Sequence, residues 1–219
     1  MIREHDGEPV HGLPARLPAG ETILWQGAPD WWLLARRAFH LQLVAVYFVV
    51  LAGWRGIATI YDGGTIADAA FRVGVLAVVA GLAVALFMVL AYAMARSTVY
   101  TLTNRRIVMR IGAALSMTIN LPFAAIDAAS VKPLAKGHGD IAIKTHGKHR
   151  LGYLVLWPHA RPWRLARPEP TLRAIPDVER VAALFADAFA AATSDRVVRG
   201  EAPAGDAGPA IAGLAPAAG

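Results

Sequence analysis

Hydrophobic positions change their period along the chain, and the change divides it into two kinds of structure. Val73 to Ala95 is twenty-three residues without a charge, framed by Arg72 and Arg96, with Gly74, Gly81 and Tyr92 its only departures from large apolar and alanine content. About 20 apolar residues cover the roughly 30 Å of a bilayer's hydrocarbon, so this stretch predicts a transmembrane helix. A core helix of a soluble protein rarely runs this long without a polar residue on some face. Ala38 to Ile60 predicts a second span, with His40 and Gln42 near its start and Arg55 near its end, where such side chains reach water. Tyr61-Asp62-Gly63-Gly64 breaks the pattern, and the two spans form a hairpin over 38–95 (38–60 and 73–95).

From Ser97 the period is two. Ile107, Met109 and Ile111 alternate with Arg106, Val108 and Arg110, and Leu115, Met117, Ile119 and Leu121 alternate with polar or small residues. This predicts a half-buried antiparallel meander with turns at Asn104 and Gly112. Further strands are expected at Ala128 to Lys132, Asp140 to His146 and Leu151 to Trp157, and a short one within Gly20 to Gly27. Pro158 to Pro170 reads as a loop. Pro176-Asp177 opens a helix whose Val178, Val181, Ala182, Phe185 and Phe189 share one face, able to close an open sheet end. The expected class is an α+β membrane protein. An N-terminal segment (1–37) precedes the hairpin, a cytoplasmic β domain closed by a C-terminal helix (96–193) follows it, and a disordered tail (194–219) ends the chain.

Composition agrees with this division. Apolar residues make up 56% and charged residues 17%, and mean hydropathy is +0.42. The absence of cysteine excludes disulfides, thiolate metal sites and cysteine nucleophiles. Residues 1–20 are polar and proline-rich, unlike the apolar core of a signal peptide. Net charge is +6, and Lys132 to Arg173 carries nine Lys/Arg against Asp140 and Glu169. Beside a membrane such a face suits anionic headgroups better than nucleic acid. Arg36, Arg37, Arg96, Arg105, Arg106 and Arg110 flank one side of the hairpin, against Arg55 and Arg72 on the other. By the positive-inside rule both termini are cytoplasmic. Trp31 and Trp32 beside Arg36 and Arg37 read as a headgroup-level belt, the alternative being that both tryptophans pack on the sheet domain. Ala52 and Gly56 on the first helix, and Ala77, Gly81 and Ala85 on the second, are spaced four apart and predict a close helix seam.

Candidate chemistry is sparse. His138, His146, His149 and His159 lie in turns without metal-ligand spacing, so no metal site is expected. His40 enters the first helix, where its imidazole could ligate the metal of a pigment; a headgroup-level histidine is the plainer reading. No nucleophile–base pair, phosphate loop or helical carboxylate pair is readable, so no catalytic residues are assigned. The Asn104-Arg105-Arg106 turn, with Arg110, offers guanidinium forks for a phosphate or an acidic peptide, or else a solvated charge cluster.

Three stretches carry a resemblance: Tyr100-Thr101-Leu102-Thr103-Asn104-Arg105-Arg106-Ile107, Leu121-Pro122-Phe123-Ala124-Ala125-Ile126 and Gly139-Asp140-Ile141-Ala142-Ile143, followed by the closing helix. Together they resemble the bacterial pleckstrin-homology domain. Residues 2–192 also resemble, more narrowly, the photosynthetic complex assembly proteins of purple bacteria, encoded beside the reaction-centre H subunit. Here the matching stretches are Glu4-His5-Asp6, Gly20 to Gly27, Pro29-Asp30-Trp31, Thr103 to Gly112, and Trp157 to Trp163. The resemblance implies a non-enzymatic factor in the bacterial inner (intracytoplasmic) membrane. Its implied partners are reaction-centre and core antenna polypeptides or other assembly factors, with membrane lipids around it and self-association open. Two other readings remain: a general lipid- or peptide-binding membrane protein, and a bacteriochlorophyll-handling protein centred on His40.

Overall fold

A computed structural model describes residues 12–13, 15–112, 116–146, 152–162, 164, 168–198 and 210–212. The chain forms two compact units, one comprising residues up to Asp30 together with those from Met94 onward, the other Trp31–Ala93.

The first unit is built on two sheets, antiparallel except for one short strand at the edge of the second. β1 (Ile23–Gly27), β2 (Val99–Thr103), β3 (Arg106–Ile111) and β4 (Met117–Pro122) form one, in that order. β5 (Ile126–Pro133), β6 (Gly139–Thr145) and β7 (Thr171–Ile175) form the other, in the order β7-β6-β5. β1 pairs antiparallel with β2 through Trp25↔Leu102, Gln26↔Thr101 and Gly27↔Tyr100. The helical unit is therefore an insertion in the β1–β2 connection, and the boundary expected at residue 96 misses the first strand of the domain. β1 gives a weak sequence signal because its five residues are mostly exposed and do not alternate cleanly.

β2 and β3 are not half-buried as expected. All five residues of β2 are buried, as are Val108 and Arg110 on the face of β3 expected to be polar. One sheet contributes Tyr100, Leu102, Ile107, Met109 and Ile119 to the core, and the other contributes Ile141, Ile143 and Leu172. A long helix (Val178–Val198) closes this core, with Phe185 and Phe189 set against Phe123 at ring separations of 5.7 and 5.8 Å. Its approach to β6 requires Gly139, since a Cβ there would stand 2.6 Å from Val178. Leu151 to Trp157, expected as a strand, instead holds a short helix at Tyr153–Leu156. β7 occupies a stretch to which no strand was assigned. In the tail expected to be disordered, the long helix runs to Val198 and Ala210–Ala212 adds β8, parallel to β5; residues 199–209 and 213–219 lie outside the described residues.

The second unit contains α1 (Trp31–Arg37), α2 (Leu41–Tyr61) and α3 (Ile66 to Ser97, its last turn passing into the first unit). α4 and α5 denote the short and long helices of the sheet unit. α2 and α3 are long and apolar enough to cross a membrane. α2 starts at Leu41 rather than Ala38 because His40 is left-handed, at φ 52°. α3 starts earlier than expected, where Thr65 and Asp68 cap each other: Asp68 Oδ2 accepts from Thr65 N at 2.9 Å and Thr65 Oγ1 from Asp68 N at 3.2 Å. The packing seam is only half as expected. Gly56 faces α3, with its absent Cβ 3.3 Å from Val73. Ala77, Gly81 and Ala85 are exposed, and among the described residues a Cβ at Gly81 would meet nothing within 4 Å beyond its own stretch of helix. The covered stripe of α3 runs instead through Ala69, Val73, Leu76, Ala80, Ala83 and Phe87, four and three residues apart.

Candidate functional site

Arg105, Arg106 and Arg110, expected to act as one cationic group, have three different surroundings in the fold. Thr103 Oγ1 accepts from the backbone N–H groups of Arg105 and Arg106 at 3.2 and 3.0 Å, which sets the turn between β2 and β3. Asn104 then holds the segment before β1: its Oδ1 accepts from Thr22 N and its Nδ2 donates to Gly20 O, each at 3.0 Å. That contact brings Glu21 to Arg106. Arg106 Nε donates to Glu21 Oε1 at 2.7 Å and Nη2 to Oε2 at 3.0 Å, in a two-pronged pair whose carboxylate side chain is 3% exposed. The Arg106 fork is thus occupied, and Arg110 is buried in β3. Arg105 alone of the three is exposed, on a cleft of about 430 Å³ that it lines with Pro122, Phe123, Arg196 and one acid, Asp195.

A second polar cluster lies inside the sheet unit. His159 is fully buried and follows the cis Trp157–Pro158 peptide. Its Nδ1 is 2.6 Å from the Tyr100 hydroxyl and its Nε2 3.1 Å from Thr98 Oγ1. The neighbours assign the protons. Thr98 donates to Met94 O at 2.7 Å and so accepts from His159 Nε2–H. Tyr100 accepts from Arg173 N at 3.2 Å and so donates to His159 Nδ1. One directed chain therefore runs from β7 to the last turns of α3. Burial, then the Arg173 charge, lowers the His159 pKa to about 3, so the ring is neutral. Burial likewise raises the Tyr100 phenol above its ordinary value. Arg173 donates to Ala160 O at 3.2 Å, and its Nε has no hydrogen-bond partner among the described residues. Glu21, His159 and Arg173 were not assigned roles from sequence; the signal for them was polar residues in or beside β-rich stretches, which periodicity does not rank.

In the helical unit Trp31 and Trp32 meet edge-on at 5.8 Å, and Trp31 meets Tyr92 at 6.0 Å. Arg36 and Arg37 are exposed in the last turn of α1. His40 turns its Nδ1 to Ala38 O at 3.2 Å, within the bend between α1 and α2. His138 lies 4.0 Å from Asp30 and His146 2.7 Å from Asp127, while His149 is outside the described residues. Among the described residues no group of three His, Asp or Glu is placed to hold a metal.

Comparison with known proteins adds two findings. A family model described as Bacterial PH domain matches residues 38–188. A Rhodobacter capsulatus protein named "Uncharacterized 23.7 kDa protein in puhA 5'region" is 40% identical over 186 residues, covering 84% of this chain and 87% of its own. No solved structure matches.

Proposed function

This chain belongs to the bacterial PH domain family, and we propose that it is a membrane-anchored assembly factor for the photosynthetic reaction centre and core light-harvesting complex, acting by binding subunits rather than by catalysis. The observation that carries this reading is the relative's position in the puhA 5' region of a purple bacterium, at 40% identity over most of both chains. The photosynthetic resemblance of residues 2–192 points the same way.

The anchor is the α2–α3 hairpin. Pairing of β1 with β2 supports two crossings, since the chain leaves the sheet unit at one strand and returns to it at the neighbouring strand. An even number of spans allows that return, and a single span does not. The arginine asymmetry supports a cytoplasmic sheet unit, so a phosphatase fused between Gly63 and Gly64 should be active and one fused after Asp195 inactive. Arg105 is the exposed cation of the β2–β3 turn, and it offers an acidic group of a partner polypeptide a contact at the edge of a cleft that Arg196 and Asp195 also line.

The role is tested by deleting the gene and recording near-infrared absorbance of the membranes. A lowered yield of reaction centre–antenna complex, restored by the wild-type gene, is expected. A normal yield in the deletion strain would overturn the role.

A further inference from the structure

We propose that α1 is a lipid-binding foot in which Arg36 and Arg37 hold the phosphodiester headgroup of an anionic phospholipid. The inference rests on the proposed membrane insertion and not on the assembly role.

Three observations within the helical unit carry it. First, α1 contains no acid, and its two arginines are exposed without an ion-pair partner among the described residues. Second, the Trp31, Trp32 and Tyr92 rings form a contiguous cluster whose members are 37%, 43% and 51% exposed. Large amphipathic rings exposed beside guanidiniums suit the glycerol level of a bilayer. Third, the depth of α1 is set by its contacts with α3. Trp31 lies against Tyr92, and Phe39 lies 6.2 Å from Phe87. These positions are four and nine residues before Arg96, or roughly 6 and 14 Å below it at 1.5 Å per residue.

Arg96 ends the charge-free stretch of α3, so Arg36 and Arg37 start below the headgroup plane. A guanidinium at that depth is costly unless its stem extends upward and its charge meets an anion. The lipid phosphodiester is the anion within reach, and a guanidinium fork fits its oxygens. The left-handed backbone at His40 separates α1 from the axis of α2, which lets this short helix take its own course. α1 precedes residue 38, where the family match begins.

The test uses the full chain purified in mild detergent. Phosphatidylglycerol and phosphatidylcholine of identical acyl chains are titrated against it, and bound lipid is read by native mass spectrometry. Wild type should retain phosphatidylglycerol in preference. R36Q/R37Q should lower its apparent affinity about 30-fold, as expected for two charges near an anionic surface, and R55Q/R72Q should leave it unchanged. Equal retention of both lipids by wild type, or undiminished retention by R36Q/R37Q, would overturn the proposal; the latter would leave the two arginines for an acidic partner helix. Release of the wild-type protein from membranes by alkaline washing would instead show that insertion itself fails, and the foot with it.

Discussion

Gln26 and Thr101 are 75 positions apart in sequence and stand opposite each other in neighbouring strands, with Gln26 Nε2 donating to Thr101 Oγ1 at 2.9 Å. Everything between them, including both long apolar helices, hangs from that pairing. The segment before the hairpin is thus as much a part of the sheet unit as the segment after it. The same register carries Glu21 to Arg106, so the pair that neutralises Arg106 depends on β1 being in place.

Removing Arg106 would leave a buried carboxylate uncompensated. Arg106→Ala should destabilise the sheet unit by about 1–3 kcal/mol, the cost of leaving the buried Glu21 carboxylate without its partner at a site that Arg106 leaves partly open to water. Arg105→Ala should stay within about 0.5 kcal/mol, because its side chain is exposed. Thermal denaturation of the two variants checks this. An assembly defect in Arg105→Ala at normal protein level would report on binding, whereas one in Arg106→Ala would report on folding.

The His159 chain makes a pH-dependent prediction. The folded protein holds this ring neutral down to pH about 3, while the unfolded chain takes up a proton below its ordinary value of 6.5. The unfolded state therefore binds more protons between those values, and the ring's contribution to stability declines as pH falls from 6.5 toward 3. At pH 7.5, His159→Phe should cost about 2–4 kcal/mol, since the Tyr100 hydroxyl loses its acceptor and Thr98 a donor inside the core. The gap between wild type and variant should narrow steadily below pH 6.5 in thermal melts. A gap constant from pH 7.5 to 4 would show that the ring is not held neutral.

Helix packing gives a contrast between two glycines. Gly56→Leu drives a side chain into Val73 and should lower the melting temperature of the hairpin in detergent. Gly81→Leu projects into open space within the chain and should leave that temperature unchanged. Equal losses at both sites would place the α2–α3 contact elsewhere.

These results also show what the sequence could disclose. The two apolar helices, the β2–β3 hairpin and the closing face of α5 were legible because each repeats a period over enough residues. β7 was not, because Thr171–Ile175 is buried on both faces and carries no alternation, with a proline at each end. The seam on α3 was misplaced for another reason. Residue size alone selects Ala77, Gly81 and Ala85, whereas the face turned to α2 follows the direction of the interhelical turn, and spacing within one helix does not encode that direction. The arginine trio was split by its partners: Arg106 and Arg110 fall on one face of β3, and Glu21, just before β1 and far away in sequence, claims the first of them.

Insertion of the helical unit between two paired strands is tested most directly by a disulfide. The chain has no cysteine, so any bond formed is the engineered one. Gln26→Cys and Thr101→Cys are combined, and a protease site is placed between Gly63 and Gly64. After oxidation and cleavage in membranes, the two fragments should remain joined on a non-reducing gel and separate on reduction. Gln26→Cys with Thr103→Cys, two positions out of register, should give separate fragments under both conditions. Separate fragments from the 26/101 pair would contradict the β1–β2 pairing and return the N-terminal segment to a position outside the sheet unit.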